Sequence, residues 1–402
     1  MKKPLEGIKV ADFTWVATGP LMTRTLADYG AQVVKIEGRS SPDSMRVSGP
    51  FKDGIPGLER EGWFLVYNTN KQSVALNLAN PRGIEVAKRF VAWADIVAEN
   101  FAGGVMEKMG LGYEELKKVN PNVIMISASM QGQTGPHARH RALGGQLAAL
   151  SGFCHITGWP EGIPTPIGVY TDYVVPHFSV PVLLAALLYR RRTGKGQYID
   201  LSQYEAGLQF MAPILLDYTV NGREAGRMGN RSAYAAPHGA YRCSGEDRWC
   251  AISVFTDEEW HGFRQAIGNP EWSNRREFGT FAERKRNEDE LDRLIGEWAM
   301  NHSAEEVMTM MQRNGVPAGV LETDQELLEQ DPQLKHRKYF WELDHPEVGK
   351  HRVHREAFTL SKVPSEMVRA PLLGEHNAFA LKHILGMSDD EIADLVVAGV
   401  LE

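Results

Sequence analysis

The strongest constraint on how this chain folds is an alternation of texture: short apolar runs trade places with helix-length segments from Ile8 to Ser202. Ile8-Lys-Val-Ala-Asp-Phe13 and Ala31-Gln-Val-Val-Lys-Ile-Glu37 read as strands, with a helix over 20–29 between them and Gly30 as its C-terminal stop. Positions 73–78, 95–99, 123–128 and 198–202 read as further strands, with helices over 81–93 and 203–218. Apolar strands this short, joined through helices, pair in parallel by right-handed crossovers. The predicted architecture is α/β, a large doubly wound, Rossmann-like domain.

Glu37, closing the second strand, invites a ribose contact of the dinucleotide type. The first turn reads Thr14-Trp-Val-Ala-Thr-Gly19-Pro20 and lacks GxGxxG, so no nicotinamide cofactor is expected. After the Gly-, Arg- and Ala-rich loop 221–239 the texture becomes short strands and charged helices, over 257–267, 284–300 and 304–314, which reads as a smaller α/β domain. The predicted division is 1–220 for the N-terminal part of the large domain, 221–325 for the small domain, and 326–402 as a turn-rich segment that returns to the large one.

A net charge of -7 with no long basic tract excludes the concentrated cationic face that nucleic acid requires. The longest apolar run, about 15 residues ending at Tyr189, is short for a bilayer span, and the start of the chain shows no leader pattern, so no membrane partner is expected. Three cysteines without a CxxC pair point to a reduced, cytoplasmic setting.

Asp172 stands in Pro166-Ile-Gly-Val-Tyr-Thr-Asp172-Tyr-Val-Val-Pro176, just ahead of the apolar run. One reading makes it the cap of a helix starting near Pro176. The other makes it a nucleophile toward an acyl group, with the helix N-terminus favouring its anion. GxSxG, GxxxxGK[ST] and HExxH are all missing. Lys195 in Thr-Gly-Lys-Gly-Gln reads as a tight turn, and the HxxH of His137 and His140 has no acidic or cysteine partner nearby, so no metal is expected.

A set of segments spread along the chain resembles the class III CoA-transferase family, which includes formyl-CoA, carnitine and benzylsuccinate CoA-transferases and an acyl-CoA racemase. They are Pro4-Leu-Glu-Gly-Ile-Lys-Val-Ala-Asp-Phe13, Gly30-Ala-Gln-Val-Val-Lys-Ile-Glu37, Asn70-Lys71 with Ser73, Glu99-Asn-Phe101 with Met109-Gly110, Asp172, Thr193-Gly-Lys-Gly-Gln197, Gly315-Val-Pro317 and Arg369-Ala-Pro-Leu-Leu-Gly-Glu-His376. The resemblance implies that Asp172 attacks an acyl-CoA thioester and then carries CoA as an aspartyl thioester before passing it to a carboxylic acid. It implies a coenzyme A site at Val16, Leu76, Asn100, Phe101, Val105, Lys108, Met109 and Gln203, to which charge adds Arg39 and Arg141 as phosphate partners. The Gly- and Ala-rich Ala235-Ala-Pro-His238-Gly239 reads either as a loop that closes over the intermediate or as a plain interdomain turn, and Trp15 and Ala17 would meet the substrate. It also implies an interlocked dimer, either a homodimer or a heterodimer with a homologous subunit.

The family's racemases use a histidine where Leu143 stands, and leucine cannot take a proton. Its oxalate enzymes carry a glutamine where this chain has Ala17. The expected reaction is therefore CoA transfer to an acid larger than oxalate, aromatic or branched, with succinyl-CoA as donor. The alternatives are a racemase, an intramolecular CoA-isomerase, or a CoA-binding partner subunit.

Overall fold

The structure, a computed structural model, describes residues 3–363 and 366–402. The chain divides into two compact units, one formed by 1–153, 166–224 and 334–402, the other by 154–165 and 225–333. The second unit thus takes in 154–165, a stretch that the sequence assigns to the large domain.

The first unit is built on six parallel strands: β1 (Lys9–Asp12), β2 (Gln32–Glu37), β3 (Gln72–Ala75), β4 (Ile96–Glu99), β5 (Ile124–Ser129) and β6 (Gln197–Ser202). Their order is β3-β2-β1-β4-β5-β6. Two half-sheets therefore run outward from the β1/β4 pair. The connections leaving the carboxyl ends of those two strands diverge, opening a crevice where doubly wound folds bind ligands. Val10, Ala11, Val34, Ile36, Val97 and Ile126 are all buried, because helices cover both faces of the sheet.

Where the sequence predicts one helix over 203–218, the chain forms two, Gln203–Phe210 and Ala212–Asn221. Pro213 lacks the N–H that a continuous helix would need at this point, so a second helix starts there instead. The Thr-Gly-Lys-Gly segment forms the expected tight turn: Gly194 takes φ +72 at the helix end, and a Cβ at Gly196 would lie 2.1 Å from the Val123 carbonyl oxygen.

The helical stretch Tyr170–Thr193 is longer than the predicted apolar run, and by length and composition alone it could cross a membrane. In this fold it lies against the sheet, with Ser179, Leu183 and Ala186 buried and Asp172 within it. The C-terminal segment also lies on this unit. Leu401 bridges Leu76, Val400 accepts from the Asn77 N–H, and Leu381, Met387 and Leu395 join the core beneath β2 and β3.

The second unit holds an antiparallel sheet of β7 (His238–Arg242), β8 (Trp249–Ser253) and β9 (Ala318–Val320). Its core gathers Ile252, Phe263, Leu291, Ile295 and Val307 from the sheet and its amphipathic helices. Four of those helices, Asp257–Ala266, Phe281–Arg286, Ala304–Arg313 and Asp324–Glu329, open with Thr or Ser answered by Glu three residues into the helix. This reciprocal cap explains their sharp starts. One helix predicted over 284–300 is two, Phe281–Arg286 and Glu288–Ala299.

Candidate active site

The loop between β1 and the helix Thr18–Asp28 is held from below by charges. Lys35 reaches the Thr14 carbonyl at 2.6 Å and the Asp43 carboxylate at 3.0 Å, and both side chains are fully buried. Asp43 in turn accepts the Val16 N–H at 2.9 Å. Asn100, following β4, accepts from the Trp15 N–H and donates to the Trp15 carbonyl, each at 2.8 Å, bridging the crevice. The result is a rigid turn in which Val16 sits at φ +66. A β-branched residue is strained in this region, and only several converging contacts hold it there.

A second buried pair, Lys71 with Asp12 at 3.0 Å, braces the same loop through the Pro20 carbonyl. Burial pulls the Lys71 ammonium down to about 8. Burial works against the Asp12 charge as well, but Lys71, Lys35 and the Thr14 and Thr23 hydroxyls hold its carboxyl below the usual range.

Above this loop, at the carboxyl ends of β1 to β4, lies a cavity of about 420 Å³. Its lining includes Trp15, Gly38, Leu76, Phe101, Val105 and Met109. Trp15 and Phe101 meet edge to face at 5.3 Å. Five of the predicted cofactor residues converge here or at its floor: Leu76, Phe101, Val105 and Met109 line the cavity, and Asn100 fixes its Trp15 wall.

Trp15, expected to meet the acid, lines this cavity instead. Glu37 lies at the edge, but its carboxylate is taken by the buried Arg46 guanidinium at 2.9 Å and by the Asp43 N–H, so it is not free to hold a ribose. Arg39 is exposed between Gly38 and Ser40, which line the rim, and Lys108 is exposed and outside the lining. Glu99, behind Phe101, accepts the Phe101 N–H at 2.6 Å, and burial pushes its carboxyl up to about 7.

A neighbouring cavity of about 490 Å³ is lined by Asn100, Met130, His140, Arg141, Leu143 and Gln146 among others, so Arg141 and Asn100 share it. The His137 and His140 rings lie 4.5 Å apart, and among the described residues no group of three or more metal-ligating side chains occurs.

Asp172 does not cap the long helix. It lies inside the short helix Tyr170–Val174, which runs on through Val175 into Pro176–Thr193, and no side chain caps either helix. Its carboxylate, 9 % exposed, accepts from Thr18 Oγ1 at 3.2 Å. Burial dominates its electrostatics and pushes its pKa up to about 6, with the Thr18 bond a partial counterweight. The expected favouring of the anion by a helix terminus is thus outweighed by desolvation, although at pH 7 the carboxylate still predominates by roughly ten to one.

Gly144 packs onto this carboxylate, since a Cβ there would lie 2.5 Å from Asp172 Oδ2. Thr18 is three residues from Trp15, so the loop leads from the cavity to the carboxylate over at most about 10 Å.

Three side chains of this site carry no local sequence signal. Thr18 lies far from Asp172 along the chain, and Tyr67 and Tyr173 meet hydroxyl to hydroxyl beside it. Gly144, in a Gly-Gly pair opening the helix Gly144–Leu150, could have been found as a close-approach glycine. Gln203 lines neither of the two cavities above. It is buried, donating to the Ala128 carbonyl at 3.3 Å, with its Oε1 unpaired. Ala17 is buried with Met45, Phe64 and Tyr67. His238 and Gly239 belong to the second unit and line a cavity of about 460 Å³ with Arg231, Tyr241 and Asp292.

The family model described as CoA-transferase family III matches residues 5–377. The chain is 34% identical to succinyl-CoA–D-citramalate CoA-transferase of Chloroflexus aurantiacus, over 99% of this chain and 98% of that one. It is 32% identical to succinyl-CoA:glutarate CoA-transferase of Mus musculus, over 100% and 91%. Among solved structures, a CAIB/BAIF family protein from Brucella suis superposes with TM-score 0.87 at 30% identity, covering 96% of this chain and 100% of that one.

Proposed function

The chain belongs to CoA-transferase family III and is a transferase of that class, and from that premise we propose that it moves CoA from succinyl-CoA to a dicarboxylic acid through a thioester on Asp172. The observation that carries the reading is the Asp172 carboxylate: largely buried and, among the described residues, tied to the protein by one long hydrogen bond, from Thr18. A carboxylate that the fold leaves so lightly bonded keeps its lone pairs for an electrophile.

The steps balance as follows. Asp172 Oδ attacks the thioester carbonyl, and collapse of the tetrahedral oxyanion expels CoA thiolate, leaving a mixed anhydride. The thiolate attacks the aspartyl carbonyl and releases the first acid, so the enzyme holds CoA as a thioester. The acceptor carboxylate attacks that thioester, and the thiolate then attacks the acyl carbonyl of the second anhydride. New acyl-CoA leaves and the Asp172 carboxylate is restored.

The cavity at the ends of β1 to β4 suits the nucleotide end of CoA, with Trp15, Phe101, Leu76, Val105 and Met109 against the base. Asn100 and the Val16 turn guide the pantetheine arm toward Thr18 and Asp172. Arg39, Lys108 and Arg141 serve the phosphates from the rims.

The donor and the dicarboxylate acceptor follow the relatives' names, within the expectation of an acid larger than oxalate, aromatic or branched. A racemase would need a base at Leu143, which has none to offer. The reading places the enzyme in the reduced cytoplasm, consistent with its free thiols. It also makes it a homodimer or heterodimer, because the apolar helix Ala212–Asn221 buries none of its residues within the chain.

Incubation with succinyl-CoA followed by hydroxylamine is expected to leave a hydroxamate on Asp172, read by peptide mass. An unmodified Asp172 in an enzyme that still turns over rejects the mechanism.

A further inference from the structure

Beside Asp172 stand two phenols that the transfer steps do not use. Tyr173 follows Asp172 in the chain and is half-exposed, whereas Tyr67, from the helix Gly62–Tyr67, is buried. Their hydroxyls form a hydrogen bond, and their rings meet edge to face at 6.3 Å. Trp63, half-exposed, continues the wall edge-on to Tyr67 at 6.0 Å. Two hydroxyls joined by one hydrogen bond share one proton and keep one over. Among the described residues neither phenol makes another hydrogen bond, so the pair presents a spare O–H donor at a half-exposed edge.

Its position decides what it can recognise. Successive side chains on a helix diverge by about 100°, so Tyr173 projects away from the Asp172 carboxylate, and its hydroxyl lies at the far end of a ring. Such a donor cannot serve the carbonyl that Asp172 attacks, but it suits a polar group a few bonds further along the acyl chain. Burial, then the bond from Tyr173, then the Asp172 charge all oppose ionisation of Tyr67, which keeps the pair in its donor form.

We infer that the Tyr67–Tyr173 hydroxyl pair reads the distal carboxylate of the acyl group handled at Asp172 and so selects short dicarboxylic acids and their CoA thioesters. The inference rests on the transferase reading above and adds the group that sets its substrate class.

The test compares single-turnover formation of the Asp172 thioester from succinyl-CoA and from butyryl-CoA, which lacks the distal carboxylate, with hydroxylamine trapping as the readout. The unaltered enzyme is expected to favour succinyl-CoA, and Tyr173→Phe and Tyr67→Phe each to shrink the succinyl-to-butyryl ratio about tenfold, one hydrogen bond to a charged group. Tyr173 is half-exposed and phenylalanine keeps its ring, so that variant decides the matter even if Tyr67→Phe fails to fold. A ratio unchanged in Tyr173→Phe, or no succinyl preference in the unaltered enzyme, overturns the inference while leaving the transferase reading intact. Absence of any thioester from either substrate overturns both.

Discussion

Asp172 has to be charged to act and is placed where charge is disfavoured. Its pKa of about 6 predicts an acid limb in thioester formation: the rate falls about tenfold per pH unit below 6 as the carboxylate is protonated, checked by single-turnover pH profiles. A carboxyl raised above its unfolded value of 3.8 binds more protons in the fold, so its ionisation costs stability that is absent below pH 4 and complete above about 6. Asp172→Asn should therefore melt higher than the unaltered protein at pH 8, by roughly 1–3 kcal/mol, with the difference vanishing near pH 4.

Gly144 is the other residue whose identity the geometry dictates. Gly144→Ala should push the carboxylate off its station and cut thioester formation at least about 100-fold, while stability falls only about 1–3 kcal/mol, as overpacking does. Equal hydroxamate yields from the two proteins would contradict this.

Between the elements, the first turn is shaped by ions that the sequence scatters. Lys35 comes from β2, Asp43 from the loop after it, Lys71 from the approach to β3 and Asp12 from β1, yet they meet in pairs under one loop. Asp43→Asn leaves Lys35 buried with its direct partner gone and removes the charge that holds the Val16 N–H. It should cost about 3–5 kcal/mol in a denaturant melt. Asn100→Ala, at a half-buried position, should cost about 1–3 kcal/mol in the melt and raise the KM for acyl-CoA about tenfold, because Trp15 loses both of its backbone anchors.

The Arg369-Ala-Pro-Leu-Leu-Gly-Glu-His376 segment, one of those that carry the family resemblance, forms a clamp. Arg369 pairs with Glu375 at 2.5 Å, the His376 N–H donates to the Ser73 carbonyl, and Asn377 accepts the Ala75 N–H at 2.8 Å. It fixes the strand beside the cavity rather than touching a ligand.

At the scale of the whole molecule, each unit has its own core, and the first carries an unpartnered apolar face. Leu215, Leu216, Tyr218 and Val220 of the helix Ala212–Asn221 are all exposed. Leu216→Glu combined with Val220→Glu should shift sedimentation toward a single chain and lower activity with it, whereas an unchanged sedimentation coefficient would show that this face is not where subunits meet.

The series of strands and helices behind the parallel sheet was legible because period, length and glycine stops act locally, within a window of a dozen residues. The C-terminal return was legible only as a change of texture. Which surface it covers depends on the Leu76–Leu401 bridge and the contacts around Ser73, which join the two ends of the chain. Sequence by itself determined the fold class, which is written in neighbouring residues, and singled out Asp172 through the segments along the whole chain that carry the family resemblance. Only the tertiary structure could turn Asp172 from a cap into a lightly bonded, partly desolvated carboxylate facing Thr18 and Gly144. Burial and pairing are properties of groups brought together from distant positions, and a pKa is set by that company rather than by the residue's name.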